Sequence, residues 1–227
     1  MNENQYYYLW DLRSGLPDFI ESGNLKIQPH FLTEIPSGID YSFHNEDFIL
    51  EVNKKSLFDT LYLQFTKEYD SLQEKLVYTF NDRTVPLRKD VIISLHDTDP
   101  QKNQYQVFKV DKKNRLYYVG SEQNTAGRFT FTTRELGTFT LDNDTIKPVI
   151  KPISWDRMDL KFMIKDLKSG IKSYHATLDD HFLLMEYNAK KNILSARPKN
   201  DKKAIKGLFV LEVEDNFGNK TKISKPL

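Results

Sequence analysis

The chain has 227 residues, long enough to bury a substantial core, and its 33 basic and 32 acidic side chains leave a formal charge of +1. It contains no cysteine, which excludes disulfides, thiolate metal sites and a cysteine nucleophile. Apolar residues make up only 39%, but 15 Phe and 12 Tyr supply large rings for a core, and no apolar run approaches the roughly 20 residues of a membrane-spanning helix.

The first residues, MNENQYYYLWDL, have neither a basic start nor an apolar run, so they do not read as a signal peptide. The chain is therefore read either as cytoplasmic or as a piece of an exported protein whose signal lies upstream. In QYYYLWD (5–11), an extended backbone puts Tyr6, Tyr8 and Trp10 on one face. Those rings suit the core of a leading strand; exposed, they suit stacking on sugars, and Tyr117, Tyr118 and Trp155 are open to the same two readings.

Short apolar alternations then recur between Gly, Pro, Asn and Asp. They predict strands over 47–52, 59–65, 89–96, 105–110, 115–120, 128–133 and 136–141. Many short strands at even spacing point to an all-β sandwich or barrel. KEYDSLQEKL (67–76) is the one helix candidate, with an irregular excursion between strands as its alternative.

LDNDTIKPVIKPIS (141–154) reads as a boundary between domains at 1–145 and 146–227. Polar turn residues give way to two prolines placed as on an edge strand. The charge balance also reverses: 16 basic and 22 acidic residues before it (−6), 17 and 10 after it (+7). Opposite charges help two units dock, and a basic unit is also suited to an anionic surface polymer. The lysines of KNDKKAIK and NKTKISK sit in turns and an edge with no nucleic-acid-binding module around them, which argues against nucleic acid.

After the boundary, PVIKPI, LKFMIKD, IKSYHATL, HFLLMEY, NILSAR, GLFVLEVED and KTKISK give seven short strands, the number of an immunoglobulin-like sandwich. Alternation puts Leu160, Phe162 and Ile164 on one face, and Phe209, Leu211 and Val213 on another; Tyr174 joins this core.

SGIKSYHATLDDHF (169–182) carries two of the five histidines and a His-x-x-x-Asp spacing, His175 to Asp179. If the chain turns tightly at Asp179-Asp180, Leu178 faces His181, and His175, three positions from Leu178, points to the opposite side from His181. The two imidazoles then cannot share a metal. His30, His44 and His96 are solitary, HDTD (96–99) reads as a strand end, and EDNFGNKT (214–221) lacks the ligand spacing of a calcium loop and reads as a turn. No His-Glu-x-x-His, His-x-His, Gly-x-Ser-x-Gly or phosphate-binding glycine loop occurs, so no catalytic or metal-ligating residue is assigned, no cofactor is expected and the ligand-binding residues are unknown.

Several blocks together resemble a known family: YLWDLRSGLPD (8–18), SLFDTLYLQF (56–65), VPLRKDVIISL (85–95), LGTFTLDNDTIKPVIKP (136–152), SGIKSYHATLDDHFLLMEYNAKKNIL (169–194) and LEVEDNFGNKT (211–221). They are similar to the region downstream of the catalytic domain in M23-family (lysostaphin-like) zinc peptidases of Bacteroidota. The last two also resemble bacterial immunoglobulin-like domains, where an Asp-x-x-Ser-Gly-Ile opening and an Asp-x-x-Gly-Asn hairpin recur, and the first domain is weakly similar to ZU5-type β-sandwiches. Such peptidases hold zinc with His-x-x-x-Asp and a later His-x-His; His175 and Asp179 match the first by spacing alone, and no His-x-His exists here. The resemblance implies a non-catalytic accessory tail in the cell envelope. Its partners would be an upstream peptidase domain, another envelope protein, or a wall or surface glycan, and a carbohydrate-binding module is the alternative.

Overall fold

The computed structural model describes residues 18–28, 30–71, 74–97, 104–124, 127–197 and 204–227, and among these every regular element is a β-strand. No helix among them is long and apolar enough to cross a membrane. Numbered in chain order, β1 (Ile20–Ser22) pairs with β2 (Leu25–Ile27), and β3 (Thr33–Ile35) with β6 (Leu61–Leu63).

Two five-stranded sheets face each other over the first core. One holds β4 (Tyr41–His44), β5 (Phe48–Val52), β9 (Pro86–His96), β13 (Arg128–Glu135) and β12 (Glu122–Gln123) in spatial order. The other runs β7 (Phe65–Asp70), β8 (Lys75–Phe80), β14 (Gly137–Asp142), β10 (Gln106–Val110), β11 (Leu116–Tyr118). The period-two pattern explains the arrangement: Val91, Ile93 and Leu95 are buried on β9, while Ile92 between them is exposed. Rings fill the space that few aliphatics leave, with Phe48 edge-on to Phe80 at 4.8 Å and Phe131 against Phe139 at 4.9 Å.

The predicted helix over 67–76 does not form. The described residues of that stretch belong to two antiparallel strands, β7 and β8, which pair from Phe65↔Phe80 to Asp70↔Lys75. Pairing with β8 along its whole length outweighs the weak local preference of this charged stretch, and Lys67 and Glu68 fall on the sheet's edge strand, where charge discourages further pairing.

The second unit has its own core, drawn from residues 160–213, whereas the first draws on 35–141. Its sheets run β15 (Val149–Asp156), β16 (Asp159–Lys165), β20 (Ile193–Ala196), β19 (Glu186–Asn188), and β18 (His181–Phe182), β17 (Ile171–Leu178), β21 (Leu208–Asp215), β22 (Lys220–Pro226). Read as A to G with an added C′, this is the A-B-E-D and C′-C-F-G pairing of an immunoglobulin-like sandwich. The chain is therefore all-β, with tandem β-sandwiches.

HFLLMEY, expected as one strand, is two. β18 pairs with β17, β19 pairs with β20, and Leu183–Met185 crosses between the sheets, with Met185 buried in the core on the way. Apolar alternation persists through the crossing because the crossing residues still pack inward. The hairpin before it has the register that alternation requires: Leu178↔His181, with Asp179 and Asp180 both at positive φ as a two-residue type I′ turn demands.

Two stability predictions follow from these cores. Phe162 is fully buried and stacked on Phe209 at 5.4 Å, so Phe162→Ala is expected to cost about 3–5 kcal/mol through lost transfer energy and a cavity. His175 is exposed, so His175→Ala is expected to cost about 0.5 kcal/mol or less. Chemical denaturation compares them, and the reverse order would overturn the strand register.

Tyr78 is fully buried, with its hydroxyl donating to Asp97 Oδ2 at 3.4 Å. Burial first, and then the Asp97 carboxylate, pushes the phenol well above its ordinary value. A raised folded-state value means stability that is intact below the unfolded tyrosine's value of about 10 and lost as pH climbs toward the folded one. Denaturation midpoints should fall on titration above about pH 10, and Tyr78→Phe should flatten that fall; an unchanged alkaline slope would refute the assignment.

Candidate functional site

The histidines are not brought together. His175 lies beside the exposed Phe182 ring at 5.7 Å, on the face of β17 opposite His181, whose Nδ1 contacts Asp179 O at 2.8 Å. His96 Nδ1 meets the Glu46 carbonyl, and His30 is exposed. His44 Nε2 and Ser42 Oγ are 2.7 Å apart on the exposed edge strand β4, but among the described residues no carboxylate orients the ring, so the pair lacks the third member of a nucleophile–base relay. Of the aromatic residues singled out, Tyr6, Tyr8 and Trp10 lie outside the described residues. Trp155 packs edge-on to Phe162 at 5.3 Å in the second core, Tyr117 is exposed, and Tyr118 is half-buried.

The densest polar arrangement lies where the two units meet. Asp144 leaves the end of the first sandwich, Asp166 follows β16 and Asp215 ends β21; one carboxylate oxygen from each lies within 4.8 Å of the others, the only such trio of potential metal ligands among the described residues. Asp144 and Asp215 are buried. Three like charges this close need compensation, and backbone N–H groups supply it.

Asp166 Oδ1 accepts from the amides of Lys168, Ser169 and Gly170 at 3.0, 2.8 and 2.8 Å. Gly170 (φ 82°) provides the left-handed turn that lets the loop wrap round the carboxylate. Asp215 Oδ1 accepts from Phe217 and Asn219 amides at 2.8 and 2.9 Å, and Oδ2 accepts from Asn219 Nδ2 at 2.7 Å. EDNFGNKT is thus a turn closed by its own aspartate. Asp144 ties both loops to the first unit: Oδ1 accepts from Ile146 N, Oδ2 from Ser169 N at 3.1 Å, and its carbonyl from Asn219 Nδ2 at 2.9 Å.

An apolar contact completes the junction. Phe108 points from the outer face of β10, opposite Thr140 and Tyr118, yet it is fully buried and belongs to neither core. Phe217, at the tip of the β21–β22 hairpin, stacks on it at 6.0 Å and 22°, and meets Tyr118 edge-on at 6.0 Å. Lys168 Nζ lies 6.0 Å from the Phe108 ring centre and 3.0 Å from Asp142 Oδ2, which Lys75 also pairs. One lysine of the basic unit thus docks on an aspartate of the acidic one. Burial raises the Tyr118 hydroxyl's pKa, with the Asp215 carboxylate adding to the effect and Lys172 opposing it.

Sequence reasoning found Asp166 and Asp215 only as members of two recurrent motifs, whose physical role is the capping just described. It missed Phe108, Asp144 and Phe217. The signal for Phe217 was present: a large ring alone in a polar turn, with no strand alternation to place it in a core. Chemically, the trio offers only oxygen ligands, which suit a hard cation rather than zinc, and most of those oxygens already accept N–H groups.

Phe217→Ala is expected to remove about 1–2 kcal/mol, less than a fully buried ring because Phe217 is half-exposed. Calorimetry should show one melting transition for the parent chain and two for the variant; identical single transitions would show that the ring does not couple the units. Metal analysis after dialysis is expected to find no stoichiometric zinc, and one tightly held zinc per chain would overturn the assignment of the histidines.

Comparison with known proteins finds a Zu5-like domain over residues 35–144, the span from β3 to the Asp144 corner. No match to a curated protein was found.

Proposed function

We propose that this chain is a non-catalytic positioning or interaction module of a cell-envelope protein, the tail of a wall peptidase of the M23 type whose catalytic domain lies upstream. The observation that carries the reading is the junction. Buried carboxylates and a stacked ring hold the Zu5-like domain against the immunoglobulin-like one, which suits a spacer that presents a partner at a set angle. The resemblance of residues 56–65, 85–95, 136–152 and 169–194 to the tails of such peptidases supports the envelope assignment, and the basic second unit suits an anionic envelope polymer.

A glycan-binding reading needs a row of exposed rings. Tyr69 and Tyr117 stand on opposite edge strands of one sheet, Phe19 and Phe58 lie in segments outside both five-stranded sheets and Phe182 is on the second unit, so the exposed rings among the described residues favour positioning over a sugar platform. Fractionation of the source cells with an antibody to this chain is expected to place it in the envelope, and the purified chain should release no fragments from isolated cell walls. Recovery in the cytoplasmic fraction, or turnover of wall material by the chain alone, would overturn the proposal.

A further inference from the structure

The outer face of the β7–β11 sheet is shared between two features. Toward Asp142 it is covered by the second unit; beyond Phe108 it opens into a groove of about 550 Å³, within the size range of small-molecule sites. Its floor is Val77, Thr79, Thr138 and Val110, which lie on one face by strand register. Its walls are the turn Asn81–Arg83 and the hairpin Asp111–Arg115.

Each carboxylate that lines the groove already has at least one partner. Asp111 takes the amides of Lys113 and Arg115 at 2.8 and 2.9 Å and the Arg115 guanidinium at 2.7 Å, which fixes the hairpin wall. Glu135 takes Lys109, Asp82 takes Thr84 N at 2.8 Å, Asn81 Oδ1 takes Gln64 N at 3.1 Å, and Asp70 has a partner. Several donors make no direct contact with a carboxylate. Arg83 and Lys112 face the Asp82 carboxylate, and Arg83 the Glu135 carboxylate too, at electrostatic range, but neither closes an ion pair among the described residues. Thr79 and Thr138 hydroxyls lie 3.0 Å apart, so one O–H is used between them and the other remains to donate. Donors without acceptors in a small groove fit an acceptor-only group, and guanidinium with ammonium selects an oxyanion.

We propose that this groove binds the anionic end of a small ligand, a carboxylate or a phosphate, through Arg83, Lys112 and the Thr79–Thr138 hydroxyl pair. The inference stands apart from the envelope reading, since it needs only the first unit's face. The test is a two-arm titration of the isotopically labelled chain by NMR, with inorganic phosphate in one arm and the dipeptide Ala-Ala, bearing a free carboxylate, in the other. Saturable amide shifts confined to Thr79, Arg83, Lys112 and Thr138 are expected in at least one arm, and the tighter arm identifies the source. Arg83→Ala and Lys112→Ala alter exposed side chains, and each should weaken binding about tenfold. No saturable shift in either arm, equal affinity in the Arg83→Ala/Lys112→Ala double variant, or shifts spread over surface lysines would overturn the proposal.

Discussion

A phenylalanine on the outer face of a sheet has to be covered. Phe108 is the residue on which the arrangement of this chain turns, because its ring points away from the first core and is nonetheless fully buried. Full burial of such a side chain is worth about 1.5–3 kcal/mol, and here the cover comes from Phe217, a residue of the second sandwich. β14 records the same fact in its burial: Phe139 and Leu141 face the core, yet Thr140 and Asp142 on the other face are buried as well. A strand of a half-exposed sheet alternates; this one stops alternating where the second unit sits on it.

The polar side of the junction obeys a different constraint. A buried carboxylate is tolerable only when its oxygens are hydrogen-bonded, and three within 4.8 Å repel one another. Each of Asp144, Asp166 and Asp215 therefore caps a loop whose amides converge on it. The loops gain shape from the carboxylates, and the carboxylates gain compensation from the loops. Asp144 is decisive because its contacts reach across the boundary to Ser169 and Asn219. Without its carboxylate both loops keep their internal caps and Ser169 loses its tie to the first unit, while the Asn219 bond to the Asp144 carbonyl, the Lys168–Asp142 pair and the Phe217–Phe108 stack remain.

These two constraints bear on function through geometry. A joint fixed by stacking and by oriented hydrogen bonds holds an angle, which a polar linker alone does not. The same sheet face that receives the second unit also carries the donor-rich groove, so a ligand there would lie beside the joint rather than at a distant tip. The histidines, by contrast, are dispersed: His44, His96, His175 and His181 each have a local partner on a strand or hairpin, and His30 is exposed.

Much of the fold was legible in the residue order because a strand's alternation is local. Val91, Ile93 and Leu95, or Phe209, Leu211 and Val213, announce their buried face within a few positions, and the type I′ turn at Asp179-Asp180 sets the His175–His181 opposition without help from the rest of the chain. The failures have a common cause. The hairpin over 65–80 was read in part as a helix because a charged edge strand has little alternation to show, and HFLLMEY was read as one strand because a segment changing sheets stays apolar throughout. By itself the sequence determined which residues form strands and which faces are apolar, since those follow from a period of two. Only the tertiary structure decided that Phe108 faces Phe217 and that Asp144 meets Ser169 and Asn219, because side chains so far apart in the chain are brought together by the packing of whole sheets, which no local pattern encodes.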